Sequence, residues 1–325
     1  MVVPGTRDPD DEHDQPRLTH SGREHLDRII ARVPIESASA QACTPTQRVQ
    51  IARCEQGVLH PVHDAVALEE PLEIRLDTMH EATRAVRRLS ITMRTPGHDE
   101  ELAAGFLFSE GIVREPSDIE LLRPCGLDDG VHGARHAVRV RLADHVQVDW
   151  PTLERAFHAT SSCGVCGKGS LDALEVRGLR RVPHDGLRAS AATITALPDR
   201  LRAAQRVFEQ TGGLHAAALF DAGGELLDIR EDVGRHNAVD KLLGAQFLRG
   251  ETPLRERILF LSGRVSFELM QKALVAGLPA VVAVGAPSSL AVEMARRFDM
   301  TLVGFVRGER FNVYHGAWRI EAGQA

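Results

Sequence analysis

At 325 residues the chain is long enough for one large domain or two modest ones, and its 43% hydrophobic content is sufficient for a packed core. A formal net charge of −6 and an aromatic content of 4% speak against a nucleic-acid binder, which normally carries a basic excess and stacking aromatics. No run reaches the length of a membrane span, and Asp8, Asp10, Asp11, Glu12 and Asp14 stand where a signal peptide needs apolar residues, so the cytoplasm is expected, with neither nucleic acid nor membrane as partner.

Residues 1–48 are rich in Pro, Asp, His and Ser, with one short apolar patch at Leu26, Ile29 and Ile30; this composition predicts a disordered extension. A smaller N-terminal β-rich domain is expected over 49–158. Alternating apolar and polar residues at 66–68, 72–76 and 89–93 predict half-buried strands. Asp99 is placed to cap a helix over 99–110, with Leu102, Ala103, Phe106 and Leu107 on one face and Gly111 as its stop. Another strand follows at 137–142, and Pro151 opens a short helix to about 158. Residues 159–170 have no periodicity and dense glycine, the pattern of a mobile loop.

Residues 171–325 predict a C-terminal α/β domain. Pro198 leads a helix to about 209. Residues 214–220, the turn at 221–224 and residues 225–230 read as a β-hairpin, and 237–247 is helical. Short β-rich apolar runs at 258–261, 280–284 and 301–306 then alternate with helices at 266–276 and 289–298. That order implies right-handed crossovers and parallel strands buried on both faces.

Five cysteines in a chain of this length do not make a disulfide framework. Cys43, Cys54 and Cys125 stand alone, but Cys163-Gly-Val-Cys166 is spaced for joint chemistry. A zinc knuckle would need a second such pair, which is missing, so no zinc is expected. A deaminase pattern starting at His98-Asp99-Glu100 fails, because Ser162 rather than proline precedes Cys163 and the gap exceeds sixty residues. A thioredoxin-like pair belongs at a helix N-terminus, which Gly164, Gly167 and Gly169 resist. A persulfide carrier asks only for an accessible thiolate on a loop with nearby positive charge. Cys163 with Lys168 satisfies that requirement; a thiol–disulfide oxidoreductase and a non-catalytic carrier of a metal cofactor are the alternatives.

Three loops follow the three predicted parallel strands: Ser262-Gly263-Arg264, Ala286-Pro287-Ser288-Ser289 and Arg307-Gly308-Glu309-Arg310. Such loops gather at the carboxyl edge of an α/β sheet, where ligands bind. The first two also open helices, whose free N–H groups favour phosphate, and the arginines add charge-assisted contacts to phosphate oxygens. The run Glu231-Asp232-Val233-Gly234-Arg235-His236-Asn237 forms a turn into a helix that Asp232 is placed to cap, with His236 and the preceding His215 as pocket-wall candidates.

Several of these stretches resemble the formate dehydrogenase accessory sulfurtransferase family (FdhD). They are S-C-G-V-C-G-K at 162–168, L-A-A-G-F-L-F-S-E-G-I at 102–112, T-G-G-L-H-A-A at 211–217, E-D-V-G-R-H-N-A-V-D-K at 231–241, S-G-R-V-S-F-E-L-M-Q-K at 262–272 and T-L-V-G-F-V-R-G-E-R at 301–310. The likeness runs from about residue 49 nearly to the C-terminus. It implies a C-terminal domain similar to the cytidine-deaminase fold, a mixed sheet with helices on both faces but without the zinc site. It also implies sulfur transfer from a cysteine desulfurase to the molybdenum bis(molybdopterin guanine dinucleotide) cofactor, carried as substrate on its way to formate dehydrogenase. By motif position Cys163 would carry the persulfide and Cys166 would be its companion. Phe305, Val306, Arg307, Gly308, Glu309 and Arg310 would fall on the cofactor-binding segment, beside Ser262, Gly263, Arg264, His215 and His236. A homodimer is expected, since paired nucleotide arms would then meet paired sites.

Overall fold

The structure is a computed structural model, and it describes residues 45–80, 83–128, 135–150 and 178–322. It opens with an antiparallel ribbon, β1 (Thr46–Glu55) and β2 (Val58–Ala67). A four-stranded sheet follows, built from β3 (Glu70–His80), β4 (Thr83–Arg94), β5 (Ile119–Asp128) and β6 (Arg135–Leu142) in the order β4-β3-β6-β5. Leu72, Ile74 and Leu76 alternate along β3 into the core, and Glu73, Arg75 and Asp77 face the other way, as the period of two requires. On that outer face Asp77 is gripped by Arg139 (2.6 Å) and Arg141 (2.9 Å).

The second sheet has six strands: β8 (His215–Phe220), β9 (Leu226–Asp232), β10 (Ile258–Leu261), β11 (Ala280–Ala283), β12 (Thr301–Arg307) and β13 (Arg310–His315). Their order is β13-β12-β11-β10-β8-β9. β10, β11 and β12 are mutually parallel, whereas β8 runs antiparallel to β10 and β13 antiparallel to β12. A short parallel pair joins β7 (Ala189–Ser190) to β14 (Ile320–Glu321). The mixed sheet within an α/β chain agrees with the expected fold class.

Both faces of the six-stranded sheet are covered at its centre, which is why β8, β10, β11 and most of β12 read as apolar runs. On one face Ala217, Leu219, Leu259, Leu261 and Val281 meet α4 (Arg235–Leu248), α5 (Phe267–Val275) and α6 (Ser289–Arg297). On the other, Ala218, Phe220, Phe260 and Val282 meet α2 (Ala191–Ala204) through Ile194, Leu197 and Leu201. Each fully buried Leu or Phe contributes roughly 1.5–3 kcal/mol. The first of these two cores also takes in Leu72, Ile74, Leu122 and Val138 of the four-stranded sheet, through α1 (Asp99–Ser109).

α1 and α4 cross almost backbone to backbone. A Cβ on Gly105 would lie 1.8 Å from the Asp240 carbonyl oxygen, and one on Gly244 would lie 1.8 Å from that of Glu101. Only two glycines allow that approach.

Three sequence expectations need correction. Asp99 is not the cap of α1: His98 holds that position in a left-handed conformation, while the Asp99 carboxylate accepts two hydrogen bonds from the buried Arg94, at 2.8 and 2.9 Å. Pro198 does not lead its helix but sits inside α2, which starts seven residues earlier where the Ser190 hydroxyl accepts the Thr193 N–H at 2.9 Å. α2 then ends at Ala204, and α3 (Arg206–Thr211) is separate. The stretch 307–310 is not a loop after a strand but the turn of the β12–β13 hairpin, with Arg307 paired to Arg310. The ribbon strand β1, β5 and β13 escaped the sequence reading; charged and polar residues interrupt their alternation.

Candidate functional site

Six chain ends meet along one edge of the second sheet. β10, β11 and β12 finish there. β8, antiparallel to β10, begins there at His215; β9 ends there at Asp232, and β13 starts there at Arg310. The topology thus brings His215, Ser262, Gly263, Arg264, His236 and the 305–310 turn to a single rim, which the order of the loops predicted for 262–264 and 307–310 but not for the two histidines. Cys163 and Cys166 lie outside the described residues, as do the helix expected at 151–158 and the N-terminal extension up to residue 44.

Bare backbone at the strand ends lets the loops stack. A Cβ on Gly263 would come 3.2 Å from His215 Nδ1; one on Gly285 would sit 2.7 Å from the Gly263 carbonyl oxygen. The His215 ring therefore lies over Gly263. The Ser262 hydroxyl accepts the Ala216 N–H at 2.8 Å, and the Ser262 N–H donates to the Ala216 carbonyl at 3.0 Å, tying β8 to the end of β10. Ser262 thus acts here as a strand clamp.

The turn into α4 is built from buried charge. Asp232 is fully buried, and its carboxylate accepts the Gly234 N–H (2.8 Å), the Asn237 amide (3.1 Å) and the Thr95 N–H (3.1 Å). It pairs with Lys241 at 2.7 Å, and Lys241 also donates to the Thr95 carbonyl at 2.7 Å. Asp232 therefore organises the turn before the helix rather than capping its first N–H groups; no side-chain cap bond forms at the Gly234 position. Arg235 and His236 stand at the start of α4 because this turn is held.

His236 Nε2 lies 3.2 Å from the Ser266 hydroxyl and 3.9 Å from Glu268 on α5. The neighbouring His236 imidazole holds the Glu268 carboxyl at about 2, against the opposing effect of burial. Burial pushes His215 below its ordinary value, and Arg235, His236 and Arg264 push it further, outweighing Asp232. His215 is neutral at pH 7.

The arginines of this rim differ from the ones that tie the fold together. Arg94, Arg139, Arg141, Arg230 and Arg249 all pair with carboxylates. Arg235, Arg264, Arg307 and Arg310 make no ion pair among the described residues, and Arg235 Nε is buried with no hydrogen-bond partner. The sequence reading missed Arg235, although it lies in the same motif as His236.

Below the β12–β13 turn is a groove of about 650 Å³. Phe305, Val306, Arg307, Gly308 and Arg310 line it together with Val284 and Asn312, and Pro198 and Asp199 of α2 complete the lining. Phe305 is 46% exposed and holds a positive φ of 54°, unusual for an aromatic residue. Val306 turns its side chain into the second core. Glu309 is exposed at the turn and does not line the groove.

Among the described residues no helix is long and apolar enough to cross a membrane. The sequence model of the FdhD/NarQ family matches residues 67–321. The sulfur carrier protein FdhD of Streptomyces coelicolor is 50% identical over 279 residues, covering 85% of this chain and 95% of that protein. The namesake of Mycobacterium tuberculosis is 46% identical, covering 85% and 98%, and that of Sulfolobus acidocaldarius is 41% identical with the same coverage. The crystal structure of a protein assigned as a formate dehydrogenase accessory protein, from Desulfotalea psychrophila, superposes with a TM-score of 0.64 at 25% identity, covering 86% of this chain and all of the other. With a family match over most of its length and 50% identity to one such carrier across 279 aligned residues, the chain belongs to the FdhD/NarQ family.

Proposed function

We propose that the chain is a sulfurtransferase of the cytoplasm that serves formate dehydrogenase. It takes sulfur from a cysteine desulfurase as a persulfide on Cys163 and passes it to a molybdenum bis(molybdopterin guanine dinucleotide) cofactor. The observation that carries this reading is the gathering of four arginines on one sheet edge, Arg235, Arg264, Arg307 and Arg310, none with an ion pair among the described residues, in a chain whose relatives are sulfur carriers. Cations left without carboxylates suit a ligand that brings its own phosphates.

In the proposed cycle the Cys163 thiolate attacks the outer sulfur of the donor persulfide, and the donor leaves as a thiolate. The cofactor's nucleotide arms anchor on the arginine-bearing edge, which makes the second transfer effectively intramolecular. Cys166 then attacks the inner sulfur of Cys163, so that a disulfide forms and the outer sulfur leaves for the metal as sulfide. A thiol reductant must reopen that disulfide before the next turnover. A homodimer would present two such edges to the two arms.

The test is sulfur transfer from labelled cysteine in the presence of a desulfurase, read by mass spectrometry of the peptide carrying Cys163. One added sulfur is expected on the wild type and none on Cys163→Ala, while binding of a guanine nucleotide survives the substitution. Activation of formate dehydrogenase by the Cys163→Ala protein would refute the assignment. Activation without any labelled adduct would make the chain a cofactor chaperone instead.

A further inference from the structure

The groove below the β12–β13 turn contains a group that generic anion binding does not explain. Its volume of about 650 Å³ falls in the range of small-ligand sites. Arg307 and Arg310 suit phosphates. The Phe305 ring, held out at a strained φ of 54°, suits stacking on a base. Neither feature tells one base from another, because every base has a π face and every nucleotide a phosphate. Asp199 lines the same groove. It is exposed and makes no ion pair among the described residues, although two arginines share its groove. A free carboxylate there repels phosphate, so it weakens anion binding unless it faces donors.

We propose that Asp199 selects guanine at this site. The inference rests on the reading of the groove as a nucleotide site and names the residue that reads the base. An ionised carboxylate only accepts hydrogen bonds. Among the bases, the Watson–Crick edge of guanine sets two donors side by side, N1–H and the N2 amine, to match two carboxylate oxygens. Adenine and cytosine present a donor beside an acceptor, and uracil a donor flanked by acceptors. The carboxylate is also well supported: Leu197 (0% exposed) and Leu201 (2% exposed) anchor α2 in the second core, which keeps Asp199 at the rim on a rigid element.

The experiment is calorimetric binding of GDP, IDP, ADP and xanthosine diphosphate to the full chain and to Asp199→Asn. Hydrogen bonds to a charged acceptor suggest that the wild type binds GDP roughly 10- to 100-fold more tightly than ADP. IDP, without the N2 amine, should fall between them. Asp199→Asn should lose most of its GDP affinity and prefer the xanthine nucleotide, whose C2 carbonyl can accept from the new amide. Unchanged thermal melting of the variant would show that the fold is intact. A variant that still prefers GDP overturns the role of Asp199 alone. A wild type that binds all four nucleotides equally overturns it too, but leaves a nucleotide site. If no diphosphate binds and Arg307→Ala changes nothing, the underlying reading fails and the inference falls with it.

Discussion

His215 is the residue whose charge reports most directly on an anion at the sheet edge. It is neutral at pH 7 because burial, Arg235, His236 and Arg264 all disfavour the imidazolium. A phosphate placed among those cations reverses the sign of the local field. The expected outcome is an upward shift of the His215 titration when pyrophosphate or GDP is added, followed by NMR of the imidazole. Binding then takes up a proton, so affinity strengthens as the pH falls through the His215 value of the complex. No shift at saturation would remove His215 from the site. Arg264 is exposed and has no ion pair among the described residues, so Arg264→Ala should leave stability within about 0.5 kcal/mol and weaken pyrophosphate binding about tenfold. Calorimetry and melting on the same preparation check both halves.

Two helices decide whether the edge is presented at all. α4 carries Arg235 and His236 at its start, and its middle is pressed against α1 at Gly105 and Gly244. Gly244→Ala would drive a methyl into the Glu101 carbonyl, and overpacking of this kind costs about 1–3 kcal/mol or more; denaturant unfolding measures it. The turn before α4 depends on Lys241, 1% exposed, neutralising Asp232, 0% exposed. Lys241→Met leaves a buried carboxylate without its partner and should cost about 3–5 kcal/mol. Adding Asp232→Asn removes the stranded charge and should recover part of that loss. Failure of the double variant to recover anything would show that the pair acts through packing and not charge.

Over the whole molecule, one bidentate ion pair ties the first half of the chain to the second sheet. Arg230 of β9 donates to both oxygens of Glu101 on α1, at 2.5 and 2.9 Å. Burial opposes charge on Glu101, but the hydrogen bonds from His98 and Arg230 outweigh it and hold the carboxyl at about 2. A carboxyl lowered in the folded state stabilises the fold above its unfolded value and loses that contribution as the pH falls through the folded one. The expected window is therefore about pH 4.5 down to about 2, with a contribution of roughly 3 kcal/mol. Glu101→Gln should lower stability at neutral pH and flatten the acid limb of a stability-versus-pH curve. An unchanged acid limb would place the acid sensitivity elsewhere.

Much of this protein was legible in its residues. The apolar runs of β10, β11 and β12 and the helices between them predict the parallel strands, because strands buried on both faces must be continuously hydrophobic. The same order predicts that Arg264 and Arg307 share an edge, since parallel strands finish on one side. Pairing partners were not legible. His215 and Asp232 reach that edge only because β8 and β9 enter the sheet antiparallel to β10, and hydrogen bonds between distant strands leave no local trace. Pro198 and Asp99 misled for the same reason: a serine hydroxyl eight residues upstream and a buried arginine outweighed local propensity. Asp199 was invisible as a groove residue until packing of α2 on the second core brought it into the same groove as Phe305. Which side chains could matter is a question of local chemistry, and the chain answers it alone. Which of them meet is decided by long-range packing, and only the folded molecule contains that.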